Sequence, residues 1–436
     1  MNQRTLPLAH ERIFDSKIVI NYNKVFTRKA FRMIKYIKYP LYKNSLFIVL
    51  SSLFNAGCGF FFWMQAGRLY SLEDVGLATA LISSLALIIL LSRLGFDVSI
   101  IRFFSQNSER NILGTSLIIT TAAALLIGLA YIRLIEIFSP DLSVLKEPGY
   151  ATVFLAAVIA NSVAAVTGNA FIASRKASHY FYQNVLMALR VPLLVPLAFL
   201  GNMGIFGSVG ISFLMAALWA IFLMDKVGLP LVMNVNRQLV SESMRFSMWN
   251  YISGMLANAP IQIIPIMVLN MLGEAEAAKY YIAFAIGNLV LIIPAALSTS
   301  LFVEGSHGEA LKKNVIRAGS AAFFLQVPAV ILIFLFGGEI LGLIRVDYVD
   351  AFNLLRTFVI SSFFVAVYSL FVPIQNVRMK VESIAMLNLL RFVLLLGLSY
   401  LMVSCYGING TGYAWLGTYL VIDLVIAGVV KRERWI

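Results

Sequence analysis

The residues able to carry chemistry in this 436-residue chain are few and scattered. Its three histidines, His10, His179 and His307, lie far from any constellation of serine, cysteine and acidic groups that could form a catalytic site. No GxxxxGK(S/T) or HExxH motif occurs, so signatures of ATP hydrolysis and zinc catalysis are missing. Cys58 and Cys405 stand in apolar stretches and indicate neither a disulfide framework nor a metal site. We predict no enzymatic activity, no cofactor and no metal.

Ionisable residues inside apolar segments are the strongest functional candidates, because a charge at the centre of a bilayer costs about 2.5 to 3.5 kcal/mol on insertion scales. Arg391 and Asp423 stand 16 residues before and after Gly407. A helical hairpin that turns at Gly407 would bring both to the same depth. We predict a structural ion pair between them, with a functional site as the alternative.

Arg190 lacks a comparable neighbour. It precedes Gly204 by 14 residues, and the positions at similar depth beyond that turn, Leu218 and Trp219, are not acidic. A guanidinium without a neutralising acid suits a diphosphate, which it can bind through paired N–H donors. The alternative is that Arg190 snorkels to the membrane surface.

Other polar residues stand in segments that we expect to line a cavity. The uncharged ones are Asn55, Asn258, Gln262 and Asn288. They suit sugar hydroxyls, although hydrogen bonding between helices is the commoner use of such groups in membranes. Arg102 follows the second apolar segment, where it would either collect an anionic headgroup or face the inner leaflet.

The composition places these residues in an integral membrane protein. Hydrophobic residues make up 60% of the chain and charged residues 13%, against about 45–50% and about 25% in soluble proteins. Long continuous apolar runs predict helices rather than a barrel. The net charge of +13 is explained by basic loops on one side of the membrane, so nucleic-acid binding is not expected.

Apolar runs with polar punctuation predict about twelve transmembrane helices. We place the spans near 45–67, 75–94, 112–133, 150–173, 182–201, 204–224, 248–271, 279–301, 315–336, 353–374, 384–404 and 409–430. The predicted domains are a basic amphipathic N-terminal segment (1–44), an N-lobe (45–224), an inter-lobe linker (225–247), a C-lobe (248–430) and a tail (431–436). Lysine and arginine concentrate on the side of both termini, which predicts cytoplasmic termini in a multi-pass protein of the cytoplasmic membrane.

Landmarks repeat at an offset of 203 residues, which indicates two copies of one six-span unit. The matched pairs are Leu94 and Leu297, Asn111 and Asn314, Arg175 and Arg378, and the Gly-Ile-x-Gly runs at Gly204 and Gly407. An even number of spans gives both copies the same orientation, so they should be related by an axis along the membrane normal. The copies differ at Asp423, whose counterpart is Ala220.

Several short stretches resemble motifs of one transporter superfamily. They are Arg68 to Gly76, Leu94 to Asp97 followed by Ile100 to Phe103, Gly273 to Ala277 before Tyr280 and Tyr281, and Gly338 to Leu341 before Tyr348. Their order resembles the multidrug/oligosaccharidyl-lipid/polysaccharide (MOP) exporter superfamily, especially its polysaccharide-biosynthesis branch of Wzx-type O-antigen flippases. The likeness covers roughly residues 45–430.

The resemblance implies an all-α, MATE-like fold of two pseudo-symmetric six-helix lobes around a central cavity. It also implies a flippase that moves lipid-diphosphate-linked oligosaccharide by alternating access. The implied partners are that glycan, anionic membrane lipids, and a glycan polymerase or glycosyltransferases. Two alternatives stay open: an ion-coupled exporter of small organic compounds, which the absence of acids from spans 1, 7 and 8 disfavours, and a non-transporting scaffold for glycosyltransferases. The lipid II flippase branch typically has cavity arginines where this chain has Asn55.

Overall fold

The structure is a computed structural model that describes residues 40–104, 109–229, 231–306, 311–378 and 380–432. Within these ranges the regular structure is helical and contains no strand, which confirms the all-α prediction. Helices follow from the apolar runs because a backbone inside a bilayer must satisfy its hydrogen bonds internally. The predicted amphipathic segment, residues 1–44, lies almost wholly outside the described residues.

The first half of the chain forms what we call the N-lobe. Its helices are α1 (Pro40–Leu69), α2 (Leu72–Ser92), α3 (Phe96–Phe103), α4 (Glu109–Arg133), α5 (Ile135–Phe138), α6 (Pro148–Ala173), α7 (Ala177–Met187), α8 (Arg190–Leu193) and α9 (Asn202–Lys226). Helix α6 packs between α4 and α9, while α7 packs against α1 and α9.

The second half forms the C-lobe. Its helices are α10 (Arg237–Leu272), α11 (Glu274–Ser306), α12 (Leu311–Ile344), α13 (Phe352–Val377), α14 (Val381–Tyr406) and α15 (Asn409–Arg432). Helix α13 packs against α11, α12 and α15, and α14 packs against α10 and α15. Helix α10 begins within the region predicted as a linker and runs unbroken past Pro260 and Pro265.

By length and composition, eleven helices among the described residues could cross a membrane. The exception among the twelve predicted spans is the fifth, at 182–201, which divides into α7, α8 and a short 3₁₀ turn. Pro192 and Pro196 stand in this stretch and lack the backbone N–H that a continuous helix needs. The backbone there forms 3₁₀-type hydrogen bonds, which join residues three apart instead of four. One example is the bond from Val195 N–H to the carbonyl of Pro192 at 3.4 Å.

The lobes meet along the first two helices of each, α1 and α2 against α10 and α11. We call this contact the seam. Its two ends are named after residues of α2 and its preceding loop: the Tyr70 end, where α1 ends and α2 begins, and the Leu91 end, where α2 ends.

The halves differ at the end of α2. Leu94 and Gly95 adopt positive φ angles of 48° and 81° and separate α2 from α3. The left-handed conformation costs a non-glycine residue about 1–2 kcal/mol, so packing must hold Leu94 in place. Its repeat counterpart, Leu297, lies inside the unbroken helix α11.

Candidate functional site

Arg190 lies where α8 approaches the seam. Its guanidinium carbon stands 5.5 Å from the ring centroid of Phe62 in α1, and a Cβ built on Gly59 would lie 3.8 Å from its Nη2. The guanidinium interacts electrostatically with the Cys58 thiol and with the hydroxyl of Tyr281, which belongs to the other lobe. Arg190 is therefore placed against α1 and within reach of α11.

The charge of Arg190 has no acidic partner among the described residues. Its Nε is buried and makes no hydrogen bond, and no ion pair within 4.0 Å includes it. A ring face offsets part of the cost of burying a cation, but it leaves the N–H donors unused. None of the described hydrogen bonds or ion pairs gives this guanidinium an acceptor.

A chain of aromatic contacts runs from Arg190 into the C-lobe. Trp63 and Tyr281 carry it across the seam, with ring centroids 4.5 Å apart. The successive ring pairs are Phe62–Trp63 at 5.1 Å, Tyr281–Phe284 at 6.0 Å, Phe284–Trp415 at 5.9 Å, Trp415–Tyr419 at 5.6 Å and Tyr419–Tyr368 at 5.9 Å. All fall within the 4.5–7 Å range of favourable aromatic pairs.

Arg391 lies at the far end of this chain, and the ion pair predicted with Asp423 does not form. Its guanidinium donates to the backbone carbonyl of Ala257 and, at 3.3 Å, to the hydroxyl of Tyr419. It also stands 4.7 Å above the ring of Tyr368. Tyr419 precedes Asp423 by four residues, about one helical turn. Equal distance from the hairpin turn therefore does not bring the two charges together.

Asp423 itself has a buried Oδ1 with no hydrogen-bond partner. Arg391, which is only 7% exposed, instead joins a polar cluster between α10, α13 and α14. Asn388 accepts from the Tyr368 hydroxyl and donates to Oγ of Ser253 at 2.9 Å. Sequence reasoning missed this cluster, although Asn388 lies in an otherwise apolar span at one helical turn from Arg391.

The predicted uncharged site residues do not gather around Arg190. Asn55 donates to Oδ1 of Asn184 at 2.7 Å, which ties α1 to α7. Asn258 donates to the carbonyl of Gly254 in its own helix at 2.8 Å, and Gln262 follows one turn later. Asn288 is exposed in α11. Among the described contacts, none joins these side chains to Arg190.

Arg102 lies elsewhere, at the Leu91 end. It is exposed, and its guanidinium carbon stands 5.4 Å from the ring centroid of Phe246 in α10. The neighbouring Arg93 and Asp97 form an i,i+4 ion pair at 3.9 Å. The structure thus separates Arg102 from the position of Arg190.

Two arginines cap helices across the seam at the Tyr70 end. Arg68 of the N-lobe donates from Nε and Nη2 to the carbonyl of Leu343, in the last turn of α12, at 3.1 and 2.9 Å. Arg345 of the C-lobe donates from Nη1 to the carbonyl of Tyr70, just beyond α1, at 3.0 Å. Terminal carbonyls lack intrahelical partners, and the helix dipole favours cations there. Each lobe therefore stabilises a helix end of the other.

Gly76 permits the closest backbone approach at the same end. A Cβ at this position would lie 1.8 Å from the carbonyl oxygen of Glu274, the first residue of α11, so no side chain fits. Nearby, Ser139 donates to Oδ1 of Asn270 at 2.8 Å, and Asn270 donates to the carbonyl of Phe138 at 3.2 Å. The Tyr70 end is closed by backbone contact as well as by side chains.

The Leu91 end is bridged along α2 and α10. The Tyr251 hydroxyl donates to the carbonyl of Leu91 at 2.7 Å, and the hydroxyls of Ser99 and Ser247 lie 2.7 Å apart. No group of three or more metal-ligating side chains occurs among the described residues. The site therefore consists of a seam, one unpaired arginine and aromatic rings.

Sequence comparisons agree with this architecture. The profile of the family described as "Polysaccharide biosynthesis protein" matches residues 41–302, more than half of the chain. The "Putative O-antigen transporter" of Shigella flexneri is 27% identical over 193 residues, which is 43% of this chain and 46% of that protein. The chain thus aligns with about half the length of that curated relative.

Solved structures share the fold. The lipid II flippase MurJ in an inward closed conformation gives a TM-score of 0.73 at 12% identity, covering 88% of this chain and 87% of that chain. A multidrug resistance MATE family transporter of the MOP superfamily, inward-facing, gives 0.68 at 18% identity, covering 85% and 92%. The predicted MATE-like fold is confirmed. Eleven described helices are long and apolar enough to cross a membrane, and the family profile shows that this multi-pass membrane protein belongs to the polysaccharide biosynthesis protein family.

Proposed function

We propose that the protein is a flippase for lipid-diphosphate-linked oligosaccharides. The observation that carries the proposal is Arg190, a cation at the seam with no hydrogen-bond acceptor and no acidic partner among the described contacts. A diphosphate offers paired anionic oxygens that match a guanidinium. The O-antigen transporter and lipid II flippase relatives carry names that fit such a substrate.

The other polar residues suggest how the remainder of the substrate is held. Asn258, Gln262 and Asn288 lie on α10 and α11, two helices of the seam, and their amides suit sugar hydroxyls. Asn55 binds Asn184, so we assign it mainly to holding α1 against α7. Arg102 is exposed at the Leu91 end, where it would attract the anionic headgroup.

The seam supports alternating access. In this structure the Arg68 and Arg345 caps close the Tyr70 end, and Tyr251 and Ser247 of α10 bridge the Leu91 end. Loading from the Leu91 end would require these two bridges to break. The excess of lysine and arginine on the side of the termini predicts that the Leu91 end faces the cytoplasm. We propose that the glycan is then released outside the cytoplasmic membrane, where polymerising or attaching enzymes can take it.

Reconstituted liposomes test the function. Purified protein is supplied with a fluorescent lipid-diphosphate-linked oligosaccharide, and an impermeant quencher reports how much label crosses the bilayer. We expect translocation by the wild type, little by Arg190→Ala, and unchanged rates in Arg133→Ala, which removes an exposed arginine of α4. Wild-type rates equal to those of empty liposomes would contradict the flippase.

The same liposomes separate the alternatives. Efflux of a small organic cation without glycan translocation would favour the ion-coupled exporter. If Arg190→Ala, at normal abundance, translocates the glycan at the wild-type rate, the protein is still a flippase but Arg190 does not bind the substrate. Arg190→Lys distinguishes charge from geometry, because an ammonium cannot reproduce the paired donors of a guanidinium.

A further inference from the structure

The support beneath Arg190 crosses from one lobe to the other. The guanidinium stands over Phe62, whose ring packs edge-on against Trp63 with centroids 5.1 Å apart. Trp63 in turn packs on Tyr281 of α11 at 4.5 Å. Phe62 and Trp63 are 2% and 7% exposed, so both rings are closely packed, and Tyr281 forms part of the packing around Trp63.

We propose that Tyr281 is a positioning residue for Arg190. Its ring holds the rings of Trp63 and Phe62 in position. The guanidinium therefore stays beside Cys58 only while the two lobes are in contact at this point. Because Tyr281 belongs to the C-lobe, separation of α1 from α11 would release the support and the arginine together. Anion affinity at Arg190 would then fall as this part of the seam opens.

This inference goes beyond the proposed function in naming a residue that acts through another. Its use in transport rests on the proposed contact between Arg190 and a diphosphate, whereas the positioning itself does not. Two measurements distinguish the positioning of Arg190 from its contact with a diphosphate. The first reports where the guanidinium lies without any substrate, and the second reports anion binding.

Cys58 provides the first readout, because its thiol lies within electrostatic reach of Arg190. In Cys405→Ser protein it is the remaining cysteine. The ratio of its reaction rates with anionic sulfonatoethyl and cationic trimethylammonium-ethyl methanethiosulfonate reports the local charge. We expect Arg190→Ala to lower this ratio by about fivefold, the effect of a nearby unit charge in a hydrated site.

Tyr281→Ala should lower the ratio as Arg190→Ala does. Tyr281→Phe keeps the ring and loses only the hydroxyl near Arg190, so it should lower the ratio by less than half as much. Tyr413→Ala is the matched control, since it removes an aromatic pair of 5.4 Å with Tyr406 between α14 and α15. In the Arg190→Ala background, Tyr281→Ala should have no further effect. A wild-type ratio in Tyr281→Ala, or an equal additional loss in both backgrounds, overturns the proposal.

Binding of farnesyl diphosphate, measured by calorimetry on detergent-purified protein, is the second readout. We expect Tyr281→Ala to weaken binding about tenfold, comparable to losing a desolvated cation–π contact. Tyr281→Phe should bind within about twofold of the wild type. No binding by the wild type, with the charge ratios as predicted, would reject the diphosphate contact and keep the positioning. Tight binding by Tyr281→Ala would reject the coupling of affinity to the seam.

Discussion

Arg190 and Arg391 lie at the two ends of one chain of aromatic contacts that crosses the seam between Trp63 and Tyr281. The two cations differ in what surrounds them. Arg391 donates to a carbonyl and a tyrosine hydroxyl, whereas Arg190 rests on the ring of Phe62 and makes no described hydrogen bond. Nε is buried without a partner in both arginines, so the difference lies in the two hydrogen bonds that Arg391 makes to neighbouring helices.

Arg391 and Asp423 should therefore contribute independently to stability. Arg391→Ala removes hydrogen bonds from a charged donor and should lower the free energy of unfolding by about 1.5–3 kcal/mol. Asp423→Asn should change it by less than about 1 kcal/mol and add to the effect of Arg391→Ala in the double variant. Denaturant unfolding in detergent measures all three. A coupling free energy above about 1 kcal/mol between the two substitutions would show that Arg391 and Asp423 do interact as an ion pair.

Gly76→Ala should force the lobes apart at the Tyr70 end, because its Cβ would collide with the carbonyl of Glu274. Spin labels at Leu69 and Leu343, both exposed and on opposite lobes, report the separation by pulsed dipolar spectroscopy in a cysteine-free background. We expect a longer distance than in the unsubstituted labelled protein. Gly254→Ala is the control, since a Cβ there meets nothing within 4 Å. Unchanged distances in Gly76→Ala would contradict the tight approach.

The reciprocal caps should act as a pair. Arg68→Ala and Arg345→Ala should each increase the population of the open Tyr70 end, because each leaves helix-terminal carbonyls of the other lobe uncapped. The same spin-label pair measures the populations, with Arg133→Ala as the control. If both caps break in one opening motion, the double variant should resemble the more open single variant. Strictly additive shifts would show two independent contacts.

Tyr70 predicts a sensitivity to alkaline pH. Its hydroxyl donates to the carbonyl of Leu194 at 2.7 Å, and burial, with a smaller effect of Asp74, raises its pKa to about 12. An unfolded tyrosine ionises near pH 10, so the stabilising contribution is complete below about pH 10 and is lost as the pH rises towards 12. Tyr70→Phe should be less stable than the wild type near pH 8 and lose less stability above pH 10. Parallel melting temperatures across this range would contradict the assignment.

Local patterns were sufficient for most helices. Apolar runs mark where the chain must cross a bilayer, and the predicted spans near 75–94 and 409–430 correspond to α2 and α15. The fifth span departs from the prediction because hydropathy alone does not register that Pro192 and Pro196 break the hydrogen-bond ladder. The motif stretches that end at Gly76 and at Tyr348 predicted the family. The structure adds that Gly76, and Arg345 just before Tyr348, contact the other lobe.

The sequence by itself determined the class of protein: composition, the 203-residue repeat and the scarcity of intramembrane acids are properties of the chain that require no coordinates. Tertiary structure alone decided which groups meet. Depth along a helix follows from residue number, but the direction of a side chain depends on helix rotation and tilt. For that reason Arg391 faces Tyr419 instead of Asp423. Trp63 and Tyr281 meet across the seam because the two lobes pack there, and Trp63 also packs on Phe62, the ring beneath Arg190.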